Sequence, residues 1–346
     1  MARPAGAAAM SGTVRRSTII DVAQRAGVSR QTVTRAVNDM PGISAATRER
    51  VLRAAQELNY RPSRFGRGLV EQGPATLGVL IKDLSNSFFA ELGAAVVRRS
   101  ARHGWNVVLA ETDNAPEPEA AAAELSRRVD AIVGYGVRTE GIRGAIGMPV
   151  VHLDGTAEQS ATAGVVQFGS RQAMEDLAVH LQSVGARRPL VLDLDIARAA
   201  TAPAGARERS SRAHDLVRAL DAIRTDGTTP VRAVHATDGH REVLEAALAD
   251  GADALIAFND ELAVRLLRTL RGMGVQVPDG VRLVGVDGLE MSSLVTPELT
   301  TLAIDIGEIA EQTVDLVAGM LEGRVPLRGE QAHRTVPFHL RVRDSA

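Results

Sequence analysis

The chain has 346 residues, 45% of them hydrophobic and 24% charged, with 40 basic residues against 42 acidic ones and no cysteine. That excludes a disulfide scaffold, a cysteine-ligated zinc finger and an iron–sulfur protein, and the length allows two or three domains with sizeable cores. No apolar run approaches the ~20 residues of a membrane span. Residues 1–17 hold no long apolar stretch ahead of a cleavage site, so the expectation is a cytoplasmic protein without a signal peptide.

The net charge of −2 conceals an asymmetry. Residues 1–72 carry 12 arginines against Asp21, Asp39, Glu49, Glu57 and Glu71, a surplus of +7 that leaves −9 on the rest. A basic head on an acidic body points to a polyanion partner for the head alone. Lys82 is the single lysine, so nearly all positive charge is arginine, as a GC-rich coding bias would also give.

In chain order, residues 1–17 are Ala/Gly/Arg-rich without periodicity and read as a disordered tail. From Thr18 to Tyr60 the pattern is helical. Ile19, Ile20, Val22, Ala23 and Ala26 form one apolar face, and Gly27 can end that helix in the left-handed conformation. Ser29 is placed to cap a second helix from Arg30 to about Asn38, with Val33, Ala36 and Val37 inward. Pro41-Gly42 breaks the chain. Ser44 caps a third helix whose Val51, Leu52, Ala55 and Leu58 face the core. The stretch 62–73, with Pro62, Gly66, Gly68 and Gly73, reads as a hinge or linker.

After Pro74 apolar strands alternate with amphipathic helices. Predicted strands are Leu77–Ile81, Val107–Ala110, Ala131–Val133, Val150–Leu153, Leu190–Leu194, Val231–His235, Ala254–Phe258 and Leu283–Val286. Helices are predicted at Phe89–His103, Arg171–Val184, Arg207–Ala222, Arg241–Leu248 and Glu261–Met273. Repeated β-α-β units imply parallel sheets covered by helices, and some 270 residues of them imply two doubly wound α/β lobes. Ligands of such sheets bind at the carboxyl ends of the strands, here in a cleft between lobes.

The short helix, the turn Gly27-Val28-Ser29 and the second helix make a helix-turn-helix corner, whose second helix can enter a major groove. Its exposed face carries Arg30, Gln31, Thr34 and Arg35. Arginine bonds guanine bidentately, and glutamine bonds adenine. Ser29, Thr32 and Asn38 suit phosphates and set the register.

The run from Ile19 to Val70 resembles the N-terminus of the lactose/galactose-repressor (LacI/GalR) family. The pattern DVA-x-x-AGVS-x-x-TV-x-R, then S-x-x-TR-x-x-V, then LNY-x-P stands between Asp21 and Pro62. Phe88-Phe89-Ala90-Glu91-Leu92, Asn259-Asp260-Glu261-Leu262-Ala263, Val284-Gly285-Val286-Asp287 and Leu299-Thr300-Thr301-Leu302 follow in family order. The resemblance implies a helix-turn-helix domain at 18–61, a hinge at 62–73, and a periplasmic-binding-protein-like core at 74–346 that binds an effector and dimerises. Lobe 1 would span about 74–172 and 306–325, and lobe 2 about 173–303 and 336–346, with crossings near Arg171–Met174, Ala303–Ile306 and Val325–Val336.

By the same resemblance Arg30, Gln31 and Arg35 read bases, Thr18 joins the DNA contacts, and Leu69 is the wedge of a hinge helix in the central minor-groove step. Gly66 and Gly68 each cost that helix roughly 1 kcal/mol relative to Ala, so it is expected to form only on DNA. The expected partners are duplex operator DNA, a second copy of the chain in a homodimer, and a small-molecule effector. Neither a metal, a cofactor nor a membrane is expected.

Effector contacts are expected from Phe88, Phe89, Arg209, Asn259 and Asp287. The family's Asp-Asn pair is Gly169-Ser170 here, its Gly-His-Arg is Gly185-Ala186-Arg187, and its double acid is Asp287-Gly288. Two acidic anchors for hydroxyls are thereby missing. A sugar or sugar derivative, a more apolar or anionic effector, and regulation by a partner protein stay open. A transport binding protein would leave the basic head unexplained. No G-x-S-x-G, H-E-x-x-H or P-loop string supports an enzyme.

Overall fold

The computed structural model describes residues 19–37, 40–58, 74–112, 118–135, 147–194, 210–222, 232–235 and 240–346. The expected disordered tail, the hinge, Thr18, Asn38, Leu69 and Arg209 lie outside them.

Three helices open the chain: α1 (Ile19–Ala26), α2 (Arg30–Val37) and α3 (Ala45–Glu57). Their apolar faces meet in a core of Val22, Ala23, Ala26, Val33, Ala36, Val37, Val51, Ala54 and Ala55. Gly27 ends α1 at φ +63°, and the Val28 N–H reaches back to the Ala23 carbonyl, satisfying a carbonyl that the helix end would orphan. Ile20, expected on the apolar face, is 48% exposed. An eight-residue helix spans little more than two turns, and Val22, Ala23 and Ala26 already fill its inward stripe.

The rest is α/β. In order come β1 (Thr76–Ile81), α4 (Ser87–Arg102), β2 (Asn106–Glu111), α5 (Pro118–Ser126), β3 (Ala131–Tyr135), β4 (Val150–Leu153), β5 (Gly164–Gly169) and α6 (Arg171–Ser183). Then follow β6 (Pro189–Asp193), α7 (Ser211–Ala222), β7 (Arg232–His235), α8 (His240–Ala249), β8 (Ala254–Ala257), α9 (Asp260–Gly272), β9 (Arg282–Asp287), α10 (Met291–Leu294), β10 (Thr300–Ile304), α11 (Ile306–Glu322) and β11 (His333–Arg341).

The strands lie in the order β2-β1-β3-β4-β5-β11-β10-β9-β8-β6-β7. All pairings are parallel except β10 with β11. The first half, β1 to β5, is packed by α4 and α11 on one side and, through Leu80, Leu125 and Val129, by α5 on the other. The second half, β6 to β10, carries α6 and α7, and a separate core of Leu244, Leu255, Leu266, Leu270 and Leu283 lies under α8 and α9.

Strand β11 joins the halves. His333 to Pro337 pair with β5, and Phe338 to Arg341 pair with β10. The chain therefore crosses after Gly169, after Ile304 and at Pro337–Phe338. The first crossing was expected slightly later, near Arg171–Met174, but those residues form the first turn of α6. Strands β5, β10 and β11 and helices α5 and α11 were not among the predicted elements.

Candidate DNA-reading face and effector cleft

Helix α2 is held by the elements around it, which leaves one face open. The Ser29 hydroxyl accepts the Thr32 N–H at 3.1 Å and lies 2.9 Å from the Thr32 hydroxyl. Ser44 caps α3 in the same way, accepting the Thr47 N–H at 3.2 Å. Both are side-chain caps satisfying N–H groups that a helix start leaves unpaired. The Thr34 hydroxyl turns back to the Arg30 carbonyl at 3.1 Å.

The arginines of the head divide by task. Arg25 pairs with Glu57, Arg53 with Glu49, Arg50 donates to the Ala26 carbonyl, and Arg48 donates to the Met40 carbonyl. Arg30 and Gln31 are exposed and engage no other side chain among the described residues. Arg35 is half-buried, its guanidinium lying over the turn at Gly42, where a Cβ would come within 2.7 Å of it. Gly42, at φ +97°, thus leaves the space in which Arg35 rests.

The second site lies at the carboxyl ends of the strands. Four of the nine aromatic residues gather there. Phe89 meets Tyr135 edge-on with centroids 5.0 Å apart, Tyr135 meets Phe168 at 5.9 Å, and Phe88 touches Phe89 and Phe168 at 5.5 and 6.3 Å. Phe88 is buried, so it supports the wall, and Phe89 is half-buried. The Lys82 ammonium, at the end of β1, stands 5.8 Å from the centre of the Tyr135 ring.

Across the cleft, Arg212 in the first turn of α7 donates to the Phe258 carbonyl at 2.8 Å and stacks over the Phe258 ring at 4.7 Å. Its other nitrogen lies 3.2 Å from Asp287 Oδ1. Asp287 is 3% exposed and sits at φ +104°, and its Oδ1 has no well-formed hydrogen bond among the described residues. Burial raises its carboxyl to about 6, against the pull of Arg212. A buried carboxylate oxygen whose one charged neighbour is poorly aligned is under-satisfied, and a ligand hydroxyl would complete it. Asp154 follows β4 at φ +53°. Although still open to solvent, it is desolvated enough by the cleft walls to titrate above the ordinary range, while Arg212, the Phe168 N–H and Lys82 pull it down.

Asp260 braces this arrangement from behind. Fully buried, it accepts from the Thr301 hydroxyl at 2.6 Å, from the Leu289 N–H at 2.8 Å and from the Gly288 N–H. A Cβ at Gly285 would fall 2.0 Å from its Oδ1, so glycine is what lets the carboxylate in. Asn259 is 3% exposed and caps α9, its Oδ1 accepting the Leu262 N–H at 2.8 Å. Its amide nitrogen is the part left for a ligand.

The structure thus brings Phe88, Phe89, Asn259 and Asp287 to the strand ends, while Arg209 lies outside the described residues. Sequence reasoning missed Lys82, Tyr135, Asp154, Phe168 and Arg212 as cleft residues. A polar residue directly after a predicted strand was the available signal for Lys82 and Asp154.

Comparison with known proteins agrees with this geometry. Residues 18–63 match the description "Bacterial regulatory proteins, lacI family", and residues 178–346 match "Periplasmic binding protein-like domain". The chain is 27% identical over 336 residues to catabolite control protein A of Priestia megaterium, covering 90% of this chain and 98% of that protein. A LacI family transcriptional regulator of Arthrobacter sp. FB24, solved in complex with lactose, is 25% identical with a TM-score of 0.69 over 79% of this chain and 100% of that one. The lac repressor dimer bound to operator and an anti-inducer shares the fold, at 24% identity and a TM-score of 0.65 over 96% of this chain and 99% of that one. The chain thus joins a lacI-family DNA-binding head to a periplasmic-binding-protein-like body, the domain arrangement of a DNA-binding transcriptional regulator.

Proposed function

We propose that this regulator acts as a repressor, binding a palindromic operator as a homodimer, and that a small-molecule effector in the cleft controls its affinity for DNA. The observation that carries the reading is the pairing of an Arg30/Gln31/Arg35 face on α2 with a buried Asp287 carboxylate, held by Arg212, beside aromatic walls. The first is chemistry for base edges, and the second is chemistry for a hydroxylated ligand. The lactose complex of the Arthrobacter relative supports a sugar or sugar derivative as the class of ligand. Arg30, Gln31 and Arg35 would read bases from the face that also carries Thr34, with Ser29, Thr32 and Asn38 on phosphates, Thr18 among the DNA contacts and Leu69 at the central step.

The test is a titration of the full chain against genomic fragments enriched by binding, followed over a range of salt. A regulator loses affinity steeply with salt and keeps a preference of about 10³-fold or more for one palindrome. Shallow salt dependence with equal binding to all duplexes would remove the reading. Cytoplasmic residence is part of the proposal. Among the described residues, no helix is long and apolar enough to cross a membrane.

A further inference from the structure

Of the 40 basic side chains, 39 are arginine; whatever bias filled the chain with guanidinium spared one position, and that position lies in the cleft. Arginine and lysine are not equivalent there. A guanidinium is a planar fork that stacks, whereas an ammonium is a compact point charge that meets an anion end-on. The two cleft cations among the described residues divide accordingly. Arg212 is fixed by the Phe258 carbonyl and ring and by Asp287. Among the described residues, Lys82 stands over Tyr135 and attracts Asp154 at longer range, with no hydrogen bond or close ion pair to hold it.

The surroundings favour an anion beside Lys82. It stands five residues before the start of α4, a 16-residue helix capped by Asn86. The N-terminus of such a helix carries a partial positive charge. Asp154 lies within electrostatic reach of Lys82, but the Phe168 N–H already donates to its carboxylate. On the far side, Asp287 Oδ1 meets Arg212 at 3.2 Å without a well-formed hydrogen bond, which leaves room for a ligand hydroxyl to donate to it. A ligand that satisfies both sides has hydroxyls at one end and an acidic group at the other. A cationic ligand would meet Lys82 and Arg212, and a neutral one would leave the ammonium only the longer-range pull of Asp154.

We propose that Lys82 anchors an acidic group, carboxylate or phosphate, on a polyhydroxylated effector. The proposal rests on the reading of the cleft as an effector site. The single lysine makes it testable in the full-length protein. Reductive methylation with ¹³C-formaldehyde keeps the charge and labels Lys82 as the one side-chain amine. Its resonance is followed while gluconate, glucose 6-phosphate or glucose is added at constant ionic strength, with binding measured in parallel by calorimetry. The expected result is a saturable shift with at least one acid and none with glucose. Binding of that acid should be about tenfold or more weaker in both Lys82→Gln and Lys82→Arg, at melting temperatures close to that of the parent. A preference for gluconate over the phosphate, or the reverse, identifies which acid is met.

No saturable shift with either acid overturns the proposal, as does acid binding that Lys82→Gln leaves unchanged. If glucose binds calorimetrically without moving the Lys82 signal, the anchor is wrong while the effector cleft stands. If neither acids nor glucose bind, both the anchor and a sugar-type effector fail, and the operator titration remains as the separate measure of DNA recognition.

Discussion

Asp287 points its carboxylate into the cleft from a backbone conformation that an L residue rarely adopts, and its neighbours hold it there. Gly288 follows at φ +74°, and a Cβ on it would lie 2.3 Å from the Ala303 Cβ and 2.6 Å from the Ala303 Cα, so backbone would have to move. Gly288→Ala is therefore expected to destabilise the fold by about 2–4 kcal/mol, read as a lower urea midpoint. Asp260 ties the same turn down from below, and burial lifts its carboxyl to about 7. Both aspartates thus titrate above the ~3.9 of an unfolded aspartate. Between about pH 4 and 7 the folded chain holds more protons than the unfolded one, so this contribution is full at the acid end and is lost as pH rises through the window. Asp260→Asn keeps an oxygen for the Leu289 N–H and removes the charge. It should flatten the decline in stability from pH 5 to pH 8, and unfolding midpoints that fall as steeply as in the parent would contradict this account of Asp260.

At the scale of elements, α2 separates fold from recognition because its inward residues are apolar and its outward ones polar. Arg30→Ala with Arg35→Ala removes no core contact of Val33, Ala36 or Val37. The melting temperature should hold while selectivity for the operator over random duplex falls by about 10²-fold or more; unchanged selectivity would refute the role given to this face. These helices were legible because caps and breakers are local: Ser29, Ser44 and Gly27 act within a few residues of themselves. The missed elements depend on distant partners. Helix α11 is buried around most of its circumference, including Ile309, Val314, Leu316, Val317 and Met320, so it shows no clear polar face. Strand β11 carries Pro337 at the point where it changes partner from β5 to β10, and a proline inside a run argues against a strand. The cleft was read only in part for the same reason. Asn259 and Asp287 stand in recognisable strings, whereas Tyr135, Phe168 and Arg212 become neighbours only through the order of the strands.

At the scale of the whole molecule, the open edge of the sheet bears on assembly. Among the described residues strand β2 pairs only with β1, and an edge left open in this way is an invitation to association unless covered. Val108 and Leu109 on β2 are 40% and 41% exposed, and Val97 on α4, which packs against β2, is 40% exposed. Leu109 lies on the face that α4 covers, beside Gly93, while Val108 points to the opposite face. An apolar pair of Leu109 and Val97 at the sheet edge suits a two-fold contact, in which the same patch serves both copies. Operator binding supplies the link to function. One α2 face covers a single half-site, and two heads joined through their bodies meet a palindrome as one ligand, so that the second contact forms at high effective concentration. Val97→Glu with Leu109→Glu places four carboxylates in that contact if it is two-fold. If the proposed homodimer forms through this edge, the variant should sediment as a monomer at concentrations where the parent sediments at twice the chain mass. Its affinity for the full palindrome should fall by about 10²-fold or more, towards that of an isolated half-site. An unchanged sedimentation coefficient would move the dimer contact elsewhere. A monomeric variant that kept full affinity for the palindrome would mean that each head finds its half-site alone, and the cleft would then have no second head to reposition.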